Sequence, residues 1–543
     1  MLWILLYIYH FLRKFRVQVS MSFLKKRCIK ILCIVLIVFI LQRNFKTFSL
    51  NDSHLEYARI IQRIVDNKSK QTNKGSKPDM FSYQTLSLYP AAEKLSRQII
   101  LEKFSAHADN CAGLLRPKTT DIFWRNKKWQ YAVFGFKYVY ALNAYLDNRL
   151  NPHLIRIFLA VSVPESTVEL ISEGQIVLLL WYENVVSPIS ALARRDTVIW
   201  VKFWRIRGRQ LAFIPYYVAL SDNQIPKYVS LADRLCPVGL LTTYFKVILP
   251  KPLNKTNTRI GACIKPLFGN FTFRNASYLV SWMESLRYFG VQRAHIIYDA
   301  LSMDSCIENI FQYYINLGYI TFEHIPHQLY ETEVPVNMTD AMSQSVVGPI
   351  VNDCFYRRLN DYRYTLHIDY DEILVPRYNA SYLDVISRYM ASHPRDVRAC
   401  SVCSRSAFFY TNTAPGSPEE PEWLPIFRYT MRQPTEIPGV THPTGTGVRK
   451  CFQSNLYSRY MYIHNSAGLT EGAVTAGPLV FLNPDDDILI HHYRSKCKLK
   501  ARCRTEGKRA FKDETFAKVF RFDLLKRVKA VLSSVGYFNI SDR

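Results

Sequence analysis

The chain has 543 residues, of which 48% are hydrophobic and 21% are charged. This content supports about two to four folded domains and excludes an intrinsically disordered protein. The net charge of +26 indicates an anionic partner or anionic surroundings. Because the basic residues are scattered and form no zinc-finger spacing, RNP signature or long Lys/Arg block, we predict no nucleic-acid partner. We expect instead an anionic small-molecule substrate that is handled near a membrane.

An apolar run close to the N-terminus predicts a membrane anchor. Residues 31–41 read ILCIVLIVFIL, and three basic residues at 25–27 come just before them. The excess of positive charge on this side places the short N-terminus in the cytosol and the rest of the chain in the lumen. A cleaved signal peptide is the alternative, but no small-x-small cleavage site follows Leu41. Met21 is an alternative start, and it would remove a second apolar stretch at 2–12.

The cysteines and the glycosylation motifs agree with a luminal body. Ten of the twelve cysteines follow the apolar run, and an even number fits paired disulfides in an oxidising compartment. The Cys400-x-x-Cys403 spacing also occurs in zinc and redox sites, but no second pair follows at zinc spacing, so we favour disulfides. We therefore predict a single-pass type II protein of the Golgi or ER membrane. Eight Asn-x-Ser/Thr acceptors follow the anchor, at Asn51, Asn67, Asn254, Asn270, Asn275, Asn337, Asn379 and Asn539.

Two patterns of apolar residues divide the luminal part of the chain. From about 120 to 250, short runs rich in Val, Ile, Phe and Tyr alternate with Gly, Pro, Asn and Asp, which is typical of an antiparallel β domain. It shows no evident catalytic residues, and we interpret it as a structural or acceptor-facing module. Further on, strands alternate with helices, which predicts an α/β domain with a mostly parallel sheet. The predicted divisions are a cytosolic tail at 1–28, a signal anchor at 29–48, a stem at 49–115, the β-rich domain at 116–252 and the α/β domain at 253–543.

An acidic motif at the end of a strand is the main functional signal. The residues Tyr364–Asp371 read YTLHIDYD, and Glu372 follows them. On a strand, Asp369 and Asp371 point to the same side. Two such carboxylates form a hard, oxygen-rich site that suits Mg²⁺ or Mn²⁺ bridging a diphosphate. The same pattern at 485–487 follows Asn-Pro, so we interpret that second copy as a solvated turn.

Further polar residues follow predicted strands. The run at 488–494 reads ILIHHYR, in which His492 is a candidate third metal ligand and Arg494 a candidate phosphate ligand. The alternative is a core histidine with satisfied hydrogen bonds and a surface arginine. Asp299 ends the strand at 294–298 and is a candidate contact for uridine or ribose. Its alternative role is that of a turn carboxylate.

Several motifs occur in one order along the α/β domain. They are Cys263-Ile264-Lys265-Pro266-Leu267, Trp282, Phe289-Gly290-Val291, Ile297-Tyr298-Asp299, Asn352-Asp353-Cys354, His367–Glu372, Lys450, His464 and His492-Tyr493-Arg494. In this order they resemble glycosyltransferase family 92, over residues from about 263 to 525. The resemblance implies a GT-A fold, inversion at the anomeric carbon and a Mn²⁺ or Mg²⁺ cofactor. It also implies a UDP-galactose donor and a β linkage to a glycan acceptor on a glycoprotein or glycolipid, and it adds Asn352 to the donor-binding residues.

The resemblance leaves the catalytic base open. An inverting transfer needs a base for the acceptor hydroxyl, and Glu422, Glu436 and Glu471 lie in the loop-rich region that we expect to face the acceptor. The chain departs from many family members at Ala300 and Tyr370. These two differences affect the expectation for the donor sugar more than the expectation for the fold. The alternative function is a catalytically inactive, membrane-tethered glycan-binding protein on the same fold. A phosphoryl transferase is disfavoured because the G-x-x-x-x-G-K-[ST] loop is absent from the sequence.

Overall fold

The computed structural model describes residues 108–538. Gaps lie at 165–174, 184, 197–204, 207–208, 222–223, 253–257, 327–328, 330–338, 395–398, 411–419, 422, 433–448, 462–465, 470–478 and 495–510. The predicted tail, anchor and most of the stem therefore lie outside the described residues. Within the described part, no helix combines the length and the apolar character that crossing a membrane requires. All described residues belong to one compact unit.

The first part of this unit, residues 108–252, is a β module. Its strands pair antiparallel, apart from β13 and β5, which pair in parallel at Val247 and Ala144. The long central strand β6 is buried on both faces. Its odd-numbered residues pack in the module's own core, whereas Phe158 and Ala160 face the second part of the unit. The strands are β1 (Ala108–Asn110), β2 (Trp124–Arg125), β3 (Trp129–Phe134), β4 (Lys137–Ala141), β5 (Ala144–Asp147), β6 (Leu154–Pro164), β7 (Val177–Trp181), β8 (Ile189–Leu192), β9 (Arg194–Arg195), β10 (Arg205–Ile206), β11 (Arg209–Ala219), β12 (Tyr228–Ala232) and β13 (Phe245–Ile248), with a 3₁₀ turn at Thr119–Asp121.

The second part, residues 258–538, is an α/β module. Its strands are β14 (Ile260–Ile264), β15 (Leu267–Phe271), β16 (Val291–Met303), β17 (Ile320–His324), β18 (Tyr364–Ile368), β19 (Glu372–Pro376), β20 (Ser401–Tyr410), β21 (Met431–Arg432), β22 (Arg449–Ser454), β23 (Ser458–Met461), β24 (Ser466–Leu469), β25 (Leu479–Phe481), β26 (Ile488–Arg494) and β27 (Phe511–Lys512). Its helices are α1 (Phe273–Tyr288), α2 (Ser305–Asn316), α3 (Thr339–Arg357), α4 (Tyr382–Ser392), α5 (Pro425–Arg428) and α6 (Thr515–Ser534). The pair β23–β24 stands apart from the main sheet.

The main sheet of the α/β module is mixed, and it is not clearly the mostly parallel sheet that the sequence predicts. Strands β15, β16, β17, β14 and β18 pair in parallel, as alternating strands and helices predict. Beyond β18, the successive pairs β18–β22, β22–β20, β20–β21 and β21–β27 are antiparallel, and so is β19–β26. Strand β20 also pairs in parallel with β25 and β26. Only three residues join β18 to β19. So short a connection cannot make the crossover that leads to a parallel neighbour, and the chain changes direction there.

Capping and glycine signals set the ends of the first helices. The side chain of Asp304 accepts a hydrogen bond from the backbone N–H of Ile307 at 3.0 Å, which starts α2. Gly290 and Gly318 follow α1 and α2 with φ of 94° and 65°. This left-handed conformation favours glycine and stops the helix.

Three disulfides lie among the described residues, as the cysteine count predicts. Cys111 bonds to Cys236 within the β module, and Cys263 bonds to Cys354 between β14 and α3. Cys403 bonds to Cys451 across the neighbouring strands β20 and β22. The Cys400-x-x-Cys403 pair is therefore neither a zinc site nor a redox pair closed on itself.

Hydrogen bonds of buried charged side chains link the β module to the α/β module. Asp353 on α3 accepts hydrogen bonds from Asn143 Nδ2 at 2.8 Å and from the Tyr145 hydroxyl at 2.6 Å. Arg357, one turn further along α3, pairs with the other oxygen of the same carboxylate at 2.8 Å. The carboxylate therefore joins side chains from both modules.

A second buried carboxylate, Asp147, lies at the same seam. Arg149 donates to both of its oxygens at 2.8 Å, and Arg156 Nε donates at 2.8 Å. Arg149 Nη1 also donates to the backbone oxygens of Asn455 and Ser458 in the α/β module, at 2.6 and 2.7 Å. Both arginine side chains are 2% exposed, so the carboxylate neutralises charges that water does not reach.

We expect Asp147→Asn to destabilise the protein by about 3–5 kcal/mol, because it removes the carboxylate beside the buried Arg149 and leaves the buried Arg156 with Asp196 at 3.6 Å. The matched control is Asp233→Asn in the same module, whose partner Arg234 is 72% exposed, and we expect it to change stability little. Thermal unfolding followed by circular dichroism measures both. Equal melting temperatures for the two variants would contradict this account of the seam.

Candidate functional site

Three neighbouring parallel strands bring the polar residues of the site to one edge of the sheet. β14 lies between β16 and β18 and pairs in parallel with both. Lys265 directly follows β14, Asp369 directly follows β18, and Asp299 lies in the second half of β16. Ligands of such sheets bind beyond the carboxyl ends of the strands. The carboxyl ends of these strands are therefore the candidate site.

The acidic motif forms a tight turn between β18 and β19. β18 ends at Ile368, so Asp369, Tyr370 and Asp371 occupy the turn and not the strand, and the alternation expected of a strand does not apply to them. The backbone N–H of Tyr493 donates to the Asp371 carbonyl at 3.0 Å, and the indole N–H of Trp282 donates to the Glu372 carbonyl at 3.0 Å. Neighbouring elements thus hold the backbone of the turn.

Lys450 lies completely buried between two of the acidic side chains. Its ammonium nitrogen is 3.2 Å from Asp369 Oδ2 and 3.0 Å from Glu372 Oε2. Burial alone lowers a lysine pKa, but the two carboxylates raise the pKa of Lys450 above its usual value. Lys265 Nζ lies 3.7 Å from the other oxygen of Asp369. Although burial opposes it, the two ammonium groups hold the pKa of Asp369 well below its usual range.

His492 lies between the carboxylates of Asp371 and Glu372. It is paired with Glu372 in the register of β19 and β26. Its Nε2 is 3.1 Å from Asp371 Oδ2, and its Nδ1 is 3.4 Å from Glu372 Oε1. The ring of Phe408 packs against the imidazole at 4.9 Å. Carboxylates thus lie on both sides of the imidazole, and the contact between Nε2 and Asp371 is the one with hydrogen-bond geometry.

Asp371 and His492 fit a divalent cation. The Asp371 side chain is 35% exposed and the His492 side chain 4%, so one partly exposed oxygen donor lies beside one buried nitrogen donor. Such a donor set suits Mn²⁺ or Mg²⁺ when phosphate oxygens and water supply the other ligands. In the described part of the chain, no three side chains are already assembled as a metal site. The sequence suggests Asp369 as a third ligand, and in the fold its carboxylate contacts Lys265 and Lys450.

Asp299 and Asn352, which are also expected to bind the sugar nucleotide, make contacts outside the acidic turn. Asp299 is buried, and its Oδ1 is 3.5 Å from His324 Nε2 at the end of β17. Asn352 donates from Nδ2 to the Gly348 and Met461 carbonyls at 2.8 and 2.9 Å, and its Oδ1 accepts from the Met461 N–H at 2.7 Å. The amide of Asn352 thus joins α3 to β23.

The remaining candidates cannot be placed by their side chains. Arg494 ends β26, the strand of His492, but its side chain lies outside the described residues. The three candidate bases, Glu422, Glu436 and Glu471, also lie outside them. The second acidic pattern is a structural turn, as predicted. Asp487 Oδ2 accepts from the Asn483 N–H at 2.9 Å, and Asp485 lies 3.4 Å from Arg432.

Comparison with known protein families agrees with this geometry. Residues 258–524 match the family model of glycosyltransferase family 92. This part of the chain belongs to glycosyltransferase family 92. The match covers the α/β module from the start of β14 into α6, and it leaves the β module outside. No curated protein matches the chain.

The structure adds residues that sequence reasoning did not assign to the site of the family 92 domain. Lys265 and Lys450 stand out in the sequence only as landmarks of the family, and their contacts with Asp369 become visible only in the fold. Tyr370 projects beside two further aromatic rings, with centroid distances of 5.2 Å to Phe271 and 6.4 Å to Tyr278. Because Tyr370 is 36% exposed, it offers one face to a ligand at the opening.

We expect Lys450→Met to destabilise the family 92 domain by about 3–5 kcal/mol, since it removes the ammonium group beside the buried Glu372 and leaves Asp369 with Lys265 alone. Adding Glu372→Gln should recover part of this loss, because one of the two charges is then removed. Urea unfolding of both single variants and the double variant measures the coupling. Lys512→Met, at an exposed ion pair, is the control and should change little. Additive effects in the double variant would contradict a direct interaction.

Proposed function

We propose that the protein is a metal-dependent, inverting glycosyltransferase that transfers a hexose from a UDP-sugar to a glycan acceptor. The family 92 domain supports glycosyl transfer. The observation that carries the proposal is the pairing of Asp371 with His492 at an opening between strand ends. Galactose from UDP-galactose, transferred in β linkage to a glycoprotein or glycolipid, is the specific reaction we propose from the family resemblance.

We propose distinct roles for the two aspartates. Asp371 and His492 would hold a Mn²⁺ or Mg²⁺ ion, which neutralises the charge of the leaving nucleoside diphosphate when bound. Asp369 would face the ribose, because Lys450 and Lys265 keep it ionised and already occupy part of its surface. Lys265, with a side chain 20% exposed, is positioned to donate to a phosphate oxygen. Asp299 is a further candidate for the uridine or ribose.

The acceptor side of the reaction needs a base for the attacking hydroxyl. Our candidates for this base are Glu422, Glu436 and Glu471. Replacing each of them by glutamine in a separate variant identifies the base. In the variant that lacks the base, transfer to the acceptor should fall while UDP binding stays unchanged. Exchange of a glutamate that has only a structural role should instead change both transfer and UDP binding, or neither of them.

We propose that the protein acts in the lumen of the Golgi or ER, anchored by residues 29–48 as a type II membrane protein. The three disulfides support an oxidising compartment. Two of the glycosylation acceptors, Asn270 and Asn379, are exposed in the fold. Both features agree with a catalytic domain that faces the lumen.

We expect Asp371→Asn to reduce sugar transfer by at least about 100-fold, because it removes one of two protein ligands of the metal. The control is Asp485→Asn, which alters the second acidic pattern in an exposed turn and should retain activity. Transfer and hydrolysis of labelled UDP-galactose, each with Mn²⁺ and with EDTA, measure the effect. If Asp371→Asn turns over like the wild type, the proposed site is wrong. If the wild type neither transfers nor hydrolyses any UDP-sugar, the protein is an inactive glycan-binding protein.

A further inference from the structure

An aromatic stripe runs across one face of the β3–β4 hairpin. Tyr131 pairs with Tyr140 and Val133 with Tyr138, so these four side chains lie on the same face. Phe123 joins the stripe, because the N–H of Tyr131 donates to the Phe123 carbonyl at 3.1 Å. The ring of Tyr131 lies 5.4 Å from Phe123, 6.4 Å from Tyr138 and 5.6 Å from Tyr140. The aromatic stripe is thus a contiguous group of four rings with Tyr131 at its centre.

The exposure of the stripe increases in one direction. Tyr140 is 4% exposed and Tyr131 is half-buried, whereas Tyr138, Phe123 and Val133 are 37%, 39% and 44% exposed. The solvated face of an antiparallel sheet normally carries polar residues. An apolar row that continues from a buried contact into solvent marks a binding surface.

The buried end of the stripe lies at the seam with the family 92 domain. Tyr140 packs in one cluster with Ile297 and Ile325 of that domain. Trp129, at the start of β3, donates from its indole N–H to the Pro326 carbonyl at 2.7 Å. Ile325 and Pro326 directly follow β17, whose last residue contacts Asp299. The stripe therefore begins at the edge of the sheet that carries the proposed donor residues.

We propose that the aromatic stripe binds the saccharide chain of the acceptor. This inference rests on the proposed function, since it takes the acceptor to be a glycan. A pyranose ring has a face of C–H groups that packs on an aromatic ring, and its hydroxyl groups at the rim bond to tyrosine hydroxyls. A row of half-exposed rings that leads from the seam fits successive sugar units of one chain.

The size of the stripe favours a glycan over a protein partner. An aromatic side chain offers roughly 200 Å² of surface, so side chains about 40% exposed together present on the order of 300 Å². A stable protein interface needs about 800 Å² on each partner. The stripe falls well short of that area, but it covers a few sugar rings.

The experiment compares Tyr138→Ala and Phe123→Ala with Trp124→Ala in the full-length protein. Trp124 is the matched control, because it is 50% exposed on the same edge but pairs with Gln130, on the opposite face. With an oligosaccharide acceptor found by screening, we expect each stripe variant to raise the acceptor KM about threefold to tenfold. The KM for the UDP-sugar and its hydrolysis without acceptor should stay unchanged. Tyr138→Phe, which keeps the ring, should retain most of the affinity.

Binding to a printed array of oligosaccharides provides a readout that does not depend on transfer. We expect the wild type and Trp124→Ala to bind the same oligosaccharides and the stripe variants to lose them. Equal acceptor KM and equal array binding for Tyr138→Ala and Trp124→Ala would overturn the inference, as would a wild type that binds no oligosaccharide. Array binding that depends on the stripe in a protein that hydrolyses no UDP-sugar supports the stripe and refutes the proposed enzyme activity.

Discussion

The buried ammonium of Lys450 is the interaction on which the site depends. The sequence places three carboxylates within four consecutive residues, namely those of Asp369, Asp371 and Glu372. Their negative charges repel one another, and burial makes this repulsion stronger. Lys450 on β22 contacts two of these carboxylates, Lys265 adds a second positive charge beside Asp369, and His492 on β26 contacts Asp371. The acidic turn can therefore exist before any cation or nucleotide binds, with Asp371 left facing the opening.

This division of the carboxylates also explains how one short motif can serve two purposes. The pair formed with Lys450 is buried and fixes the shape of the turn, whereas Asp371, which contacts the buried His492, is partly exposed to solvent. Glu372 connects both, because its two oxygens contact Lys450 and His492. A carboxylate in this position orients the imidazole in the way that outer-shell groups orient metal ligands.

The β module takes part in the same architecture. Its sheet packs on α3, and the carboxylates of Asp147 and Asp353 collect arginine, tyrosine and backbone groups from both sides of the seam. Buried charges of this kind make separation of the modules unfavourable. The β module therefore provides a fixed surface beside the strand ends, and its aromatic stripe begins there. The β module lies outside the family match, and these contacts explain why it occurs together with the family 92 domain.

Local patterns in the sequence predict the local features well. The strand before Asp369, the glycines that end α1 and α2, and the neighbouring His492 all follow from spacing and residue type. Prediction from the sequence fails for contacts between residues that lie far apart along the chain. Lys450 reaches Asp369 across 81 positions, and Asn143 reaches Asp353 across 210, which no periodicity encodes. The mixed sheet escapes prediction for the same reason, since the direction of a late strand depends on which distant neighbour it finds.

The central claim is that Asp371 and His492 together hold a cation beside the donor diphosphate. Pulsed electron paramagnetic resonance of Mn²⁺, recorded with UDP and the purified protein, tests it most directly. We predict nitrogen modulation from one imidazole together with phosphorus coupling, and loss of the nitrogen signal alone in His492→Asn. A wild-type spectrum without nitrogen modulation, or an unchanged spectrum in His492→Asn, would contradict the account.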